Sequence, residues 1–123
     1  MNEQLVNQMK LQMTKNSSTL RLKKEGTLHF FVRNGVLQKK FEEDEVLIVN
    51  GDHVAVPEND VELSEEGIDM LFSLIRNAFV AYGETKGKIE YGHMYINYRI
   101  DNEGTPFNKV ALRVVTEEHY KWS

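Results

Sequence analysis

Residues 64–82 read SEEGIDMLFSLIRNAFVAY, and this stretch decides the fold. Wound as a helix at about 100° per residue, its polar side chains share one narrow arc and its apolar side chains cover most of the remaining circumference. A surface helix needs an apolar stripe only about 100° wide. The stretch therefore predicts a long helix that is covered on two sides, with Phe72, Ile75 and Phe79 deeply buried.

The ends of this helix carry their own signals. Ser64 is a good N-cap, and two glutamates follow in the first turn, where the helix dipole favours anions. We expect the helix to run to about Tyr82 and to end at Gly83, because glycine commonly follows the last helical residue.

A helix of this kind needs two covers. A sheet can supply one of them. The other is either an amphipathic N-terminal helix, predicted over residues 2–15, or a second subunit. We expect a homodimer, because two-fold dimers are the commonest closed assemblies.

Between the two helices the sequence predicts five short strands. Residues 27–33 (TLHFFVR) are rich in aromatic and β-branched residues and stop at Asn34-Gly35, a strong hairpin signal. Asn50-Gly51 is a second such turn, and Pro57 ends the last strand because it has no amide hydrogen to donate. The strands are predicted at residues 18–23, 27–33, 36–41, 45–49 and 53–56.

A C-terminal hairpin is the clearest antiparallel pair. Its strands are predicted over residues 89–100 and 106–116, with Gly104 left-handed in the loop. Apolar residues alternate on both strands, and both sets face the core only if opposite residue numbers have an even sum, as in Ile96 against Val110. The order of elements predicts a single α+β domain: an N-terminal helix, about five short antiparallel strands, one long buried helix and the hairpin.

The same register turns a second set of hairpin residues to the other face of the sheet. Aromatic rings interleaved with cations occur at hot spots of protein interfaces and on platforms that stack unpaired bases. The preference of tyrosine for strands produces the same pattern, so an ordinary half-polar face remains an alternative. The candidate binding residues of this face are Tyr91, His93, Tyr95, Arg99, Lys109 and Arg113.

The charges are sorted along the chain, although the net charge is only −4. Residues 10–40 carry eight Lys or Arg and one acid, whereas residues 41–75 carry eleven acids and no Lys or Arg. Charged poles steer and select charged partners, although basic and acidic strands can also neutralise each other within a sheet. Acids in loops and at a helix start are often only solvated residues. The candidate acidic binding residues are Glu42, Glu43, Asp44, Glu45, Glu58, Asp60 and Glu62.

Several kinds of chemistry have no residues to support them. The chain has no cysteine, which excludes disulfides, thiol nucleophiles and thiolate metal sites. Its four histidines lack the spacing of a metal site, so only a composite site assembled across strands remains possible, and we predict no metal and no cofactor.

The N-terminus does not resemble a signal peptide and no apolar run approaches a membrane span, so we expect a cytoplasmic protein without membrane contact.

These observations predict a binding protein and not an enzyme. The first hypothesis is a small accessory protein, an adaptor or inhibitor of the bacterial or phage type, that binds another macromolecule through a charged surface. The alternative is a single-stranded nucleic-acid-binding protein that uses the aromatic and basic face of the C-terminal hairpin.

Charge reversal tests the acidic hypothesis. Changing Glu42, Glu43 and Asp44 together to lysine should slow association with a basic partner and weaken its salt dependence, as measured by stopped-flow kinetics. Folding should be unaffected, because exposed charges contribute little to stability. Unchanged binding by this variant, together with loss of binding in Tyr95→Ala, would move the interface to the aromatic and basic face of the C-terminal hairpin.

Overall fold

The computed structural model describes residues 2–38, 42–43, 48–50, 53–55, 60–107 and 109–116, with backbone alone for 42–43, 48–50 and 53–55. The fold is α+β, as predicted. Its elements are α1 (Glu3–Thr14), β1 (Leu20–Lys23), β2 (Glu25–Arg33), β3 (Val36–Leu37), β4 (Glu42–Glu43), β5 (Ile48–Asn50), β6 (His53–Ala55), β7 (Asp60–Leu63), α2 (Glu65–Lys86), β8 (Tyr91–Arg99) and β9 (Ala111–Thr116).

The main sheet is antiparallel and has the strand order β3-β2-β8-β9, with β4 also paired to β2. Its centre is the pair β2 and β8, which keep one register from Glu25 opposite Arg99 to Arg33 opposite Tyr91. The strands β1 and β7 form a separate ribbon, and β5 and β6 form another. Because β2 and β8 lie far apart in the sequence, the centre of the sheet forms by long-range pairing.

The buried helix α2 is covered on two sides, as predicted. Phe72, Ile75 and Phe79 are all buried, in one core cluster with the even-numbered residues of β2 and β8. The second cover is α1, which contributes Leu5 and other apolar side chains to the same cluster. The chain itself therefore supplies a second cover for α2, whereas Met70 on another side of the helix is 40% exposed, so the expected homodimer stays a prediction.

Polar contacts fix α1 in this position. On its α2 side, Lys10 lies 2.6 Å from a carboxylate oxygen of Asp69. On its other side, the Gln8 side chain accepts a hydrogen bond from the backbone N–H of Leu37, and Gln12 donates one to the carbonyl of Gln38. The helix thus holds the β3 edge of the sheet by side-chain to backbone bonds, which satisfy polar groups that an edge strand leaves unpaired.

The start of α2 agrees with the prediction and its end does not. The Ser64 side chain accepts a hydrogen bond from the N–H of Gly67, as an N-cap should. The predicted end at Gly83 is wrong, since the helix continues to Lys86 and Gly87 follows with φ of 90°. Gly83 is buried on the packed side of the helix. Gly87 has the positive φ that ends it, a conformation that is unfavourable for residues with a β-carbon.

The predicted strands of the first half are present with different bounds: β1 begins two residues later than predicted, at Leu20, and β2 begins two residues earlier, at Glu25. Asn34 and Gly35 both have positive φ, which confirms the predicted turn between β2 and β3. The return strand includes only Val36–Leu37 of the predicted 36–41, of which 39–41 lie outside the described residues. Asn50 of the second predicted turn belongs to β5 and pairs with His53 of β6, whereas Gly51 lies outside the described residues.

In the C-terminal hairpin, opposite residue numbers have an even sum, as predicted, but the residues that pair are different. Ile96 lies opposite Leu112, two residues beyond the predicted Val110, so both strands still turn their apolar sets to the core. Near the loop Ile100 bridges Pro106, and this pairing is two residues out of step with the one in β9. The return strand therefore contains two extra residues between the loop and β9, and an even number of extra residues preserves the faces.

Strands of the basic stretch pair with strands of the acidic stretch, both in β2 with β4 and in β1 with β7. The basic strand β1 pairs with β7, which places Arg21 opposite Glu62 and Lys23 opposite Asp60. Cross-strand pairs of opposite charge are modestly stabilising. This part of the acidic stretch is therefore matched within the fold.

Truncation of the core should test the packing of α2. Phe72 is 1% exposed, so Phe72→Ala should lower the free energy of unfolding by about 3–5 kcal/mol through lost burial and a cavity. The adjacent Ser73 is exposed, and Ser73→Ala should change it by no more than about 0.5 kcal/mol. Urea unfolding measures both values. A loss below about 1 kcal/mol for Phe72→Ala would show that this side of α2 is not packed.

Candidate interaction face on the outer side of the sheet

Alternation along β2, β8 and β9 separates the core from an outer face. Even-numbered residues of β2 and β8 are buried, whereas the odd-numbered ones are half-buried or exposed. The odd-numbered residues of the three strands lie beside one another because the registers match them across the sheet. We call the following group the aromatic face: His29, Phe31, Tyr91, His93, Tyr95 and Arg113.

One row of this face is a continuous stack across three strands. The rings of His29 and Tyr95 are stacked at 4.6 Å between centroids with an interplanar angle of 7°. The guanidinium carbon of Arg113 lies 4.3 Å from the centroid of the Tyr95 ring. Because β2 and β9 flank β8 on opposite sides, His29 covers one face of the Tyr95 ring and Arg113 covers the other.

A second row lies beside the first. The Phe31 ring is 4.9 Å from His93 at a tilt of 48°, and it meets Tyr91 edge to face at 5.4 Å. The two rows are joined by the histidines, since Nε2 of His29 lies 2.8 Å from Nδ1 of His93. All five rings are half-buried, so the face combines apolar area with ordered polar groups.

The predicted aromatic and basic residues are only partly brought together. Tyr91, His93, Tyr95 and Arg113 all belong to the aromatic face. Arg99 lies at the other end of β8, where it donates a hydrogen bond to the Glu25 carboxylate at 3.2 Å. The exposed Lys109 lies in the irregular segment before β9.

The predicted acidic residues are described in part. Asp60 and Glu62 lie on β7, opposite the basic residues of β1. The structure gives Glu42 and Glu43 as the backbone of β4, and Glu42 lies opposite His29 in the register. Asp44, Glu45 and Glu58 fall outside the described residues.

Sequence reasoning missed His29 and Phe31 as members of the site. The signal was present in TLHFFVR, in which these two residues alternate with the buried Leu28, Phe30 and Val32. What the sequence lacked was the pairing of β2 with β8, a contact between segments more than 60 residues apart. Alternation assigns a residue to a face but does not identify the neighbouring strand.

The stacking limits which ring surfaces of the aromatic face are open. A platform for unpaired bases needs aromatic rings whose flat faces are open. Both flat faces of Tyr95 are already covered, so this ring offers its edge and its hydroxyl group. Tyr and Arg side chains held in this way suit a protein interface, where these residues are enriched among the energetic hot spots.

Among the described residues, no three His, Cys, Asp or Glu side chains form a group that could hold a metal ion. Within the same part of the chain, neither helix is long and apolar enough to cross a membrane. Comparison of the chain with protein-family models, curated proteins and solved structures finds no match.

A double-mutant cycle should measure the stack. The coupling energy between Tyr95→Leu and Arg113→Met should be about 0.5–1 kcal/mol in urea unfolding, which is the size of an exposed cation–π contact. The control cycle pairs Arg113→Met with Phe31→Leu, because Phe31 lies two strands away on β2. Its coupling should fall within about 0.3–0.5 kcal/mol of zero. Equal couplings in both cycles would show that Arg113 does not stack on Tyr95.

Proposed function

We propose that this chain is a non-enzymatic binding protein that docks on a protein partner through the aromatic face. The observation that supports the proposal is the unbroken His29–Tyr95–Arg113 stack on the outer side of the sheet. Rings in mutual contact on a sheet have little rotamer freedom left to lose, and binding costs less when contact side chains are already ordered. A partner can therefore bury these rings without first ordering them.

The charges around the face indicate the character of the partner. Arg113 and Arg33 are exposed cations of β9 and β2, on the same side of the sheet as the rings. Glu25 also lies on this side and is paired with Arg99. A partner with carboxylates around an apolar centre would complement this surface, since opposite charges at an interface rim increase the association rate.

Single-stranded nucleic acid is the alternative ligand for the same face. The arginines could contact phosphates, and the outer side of the Arg113 guanidinium could carry one base. The coverage of Tyr95 argues against a row of stacked bases. The two ligands differ in salt dependence, because phosphate binding releases counterions and weakens steeply as salt increases.

The acidic surface remains a separate prediction. Its described members, Asp60 and Glu62, lie opposite basic residues of β1 and so favour neutralisation within the fold. This leaves the aromatic face as the surface with the stronger support. A basic protein partner for residues 42–45 and 58 is tested by the charge reversal given above.

Charge reversal at the centre of the face should test the proposal. Arg113→Glu removes the stacked guanidinium and adds a like charge against a partner's carboxylates, so capture of the partner from a bacterial lysate should fall about tenfold or more. Lys86→Glu is the control, because Lys86 is an exposed cation in the last turn of α2. Quantitative mass spectrometry of the captured proteins measures both effects.

Two outcomes would contradict the proposal. Equal loss of capture in Arg113→Glu and Lys86→Glu would show that capture depends on the net charge of the protein and not on the aromatic face. Tight binding of a fluorescent oligothymidine with a steep salt dependence, lost in Arg113→Glu and retained in Lys86→Glu, would replace the protein partner by a nucleic acid.

A further inference from the structure

The main sheet has two edges, which differ in how their backbone groups are used. At the β3 edge, Gln8 and Gln12 of α1 bond to backbone groups of Leu37 and Gln38. At the other edge, β9 pairs with β8 on one side, and no described strand pairs with its second side. An edge strand with unpaired backbone groups is a template for another extended chain. Among the described strands, β9 therefore forms the open edge of the main sheet.

The backbone groups on the open side of β9 belong to Leu112 and Val114. A β-carbon at Gly92 of β8 would collide with the carbonyl oxygen of Val115, so this carbonyl points toward β8. In an antiparallel pair, the N–H and C=O groups of one residue point toward the same neighbour, and successive residues alternate. Arg113 therefore also bonds toward β8, whereas the residues on either side of it direct both backbone groups away from the sheet.

The core side of this edge is apolar. Leu112 and Val114 are half-buried and pack against the hydrophobic core. The helix α2 packs over β9, and its side away from α1 carries the half-buried Leu74 and Ala78. A strand added beside β9 would place every second side chain against this apolar strip.

The outer side of the same edge is positively charged. The charged residues between positions 109 and 116 are Lys109 and Arg113, both exposed, and this stretch contains no acid. Two copies of this chain paired along β9 would bring two sets of these cations together. A strand with carboxylates on alternate residues would instead complement them, since opposite charges on neighbouring strands attract. The charge of the edge therefore favours an acidic partner over a second copy.

We propose that the partner of this chain adds an extended segment to β9, in which apolar residues alternate with Asp or Glu. Main-chain bonds to Leu112 and Val114 supply affinity, and the alternating side chains supply specificity. The apolar side chains pack against the core side of the edge, and the carboxylates lie beside Lys109 and Arg113. This inference rests on the proposed function, because Arg113 belongs to both the edge and the aromatic face, and the segment belongs to the partner that docks there.

The capped peptide GVEVEVG probes the edge directly, with GVKVKVG as its matched control. We expect the acidic peptide to bind at least about tenfold more tightly at low salt, because its charges are opposite to those of the edge. NMR titration measures both affinities. Hydrogen exchange at the amides of Leu112 and Val114 should slow when the acidic peptide binds, because these amides gain hydrogen bonds.

A proline substitution should block the pairing and keep the fold. Val114→Pro removes an N–H that points away from β8, and edge strands tolerate proline at such positions. It should weaken binding of the acidic peptide about tenfold or more, whereas Val114→Ala, which keeps the N–H, should weaken it about threefold or less. Thermal unfolding checks that both variants fold. The exchange measurement on the unaltered protein tests the same pairing if Val114→Pro does not fold.

Three results would overturn the proposal. Equal affinity for the two peptides would remove the role of charge. Equal weakening in Val114→Pro and Val114→Ala would show that the N–H of residue 114 is not used. Slow exchange at Leu112 and Val114 without peptide would show that the edge is already covered, by a second copy where the protection increases with protein concentration and by the chain itself where it does not.

Capture of the partner separates this inference from the proposed function. Loss of capture in Tyr95→Ala with normal capture in Val114→Pro would keep the aromatic face as the interface and overturn the edge pairing. Loss of capture in Val114→Pro with normal capture in Tyr95→Ala would support the edge pairing and contradict docking on the aromatic face.

Discussion

The register between β2 and β8 is the constraint on which the rest of the structure depends. Nine pairs run without interruption along these two strands. Because side chains alternate with a period of two, this one alignment sets both faces of the sheet at once. It places Phe30 opposite Met94 in the core and, one residue earlier, His29 opposite Tyr95 outside. A slip of one residue would bury the histidines and expose the core, so the core and the aromatic face depend on the same pairing.

The sequence predicts the local features of this fold well and its long-range pairing poorly. Ser64 as a cap, Asn34-Gly35 as a turn and the parity of the C-terminal hairpin all depend on neighbouring residues, and the structure confirms them. The predicted end of α2 is wrong because either Gly83 or Gly87 could follow the last helical residue, and only packing distinguishes them. Gly83 is buried in the helix and Gly87 has the positive φ.

In the candidate site, too, the sequence predicts local features and misses the pairing between distant strands. Alternation within β8 identified Tyr91, His93 and Tyr95, because a strand sorts its own residues into faces. It could not identify His29 and Phe31, since their membership depends on which strand pairs with β8. It also suggested open rings for stacking bases, whereas the neighbouring strands cover Tyr95 on both sides. The chemistry of the face is set by contacts between strands, and periodicity within one strand does not contain them.

The two extra residues in the return strand of the C-terminal hairpin bear on how this protein could change during evolution. Pairing near the loop, at Ile100 and Pro106, and pairing in β9 differ by two positions, so both halves of the strand keep their faces. Gain or loss of a residue pair in this segment would shift the alignment of β9 and leave its inward and outward sides unchanged. Gain or loss of a single residue would exchange Leu112 and Arg113 between core and solvent. Relatives of this chain should therefore differ in length here in steps of two.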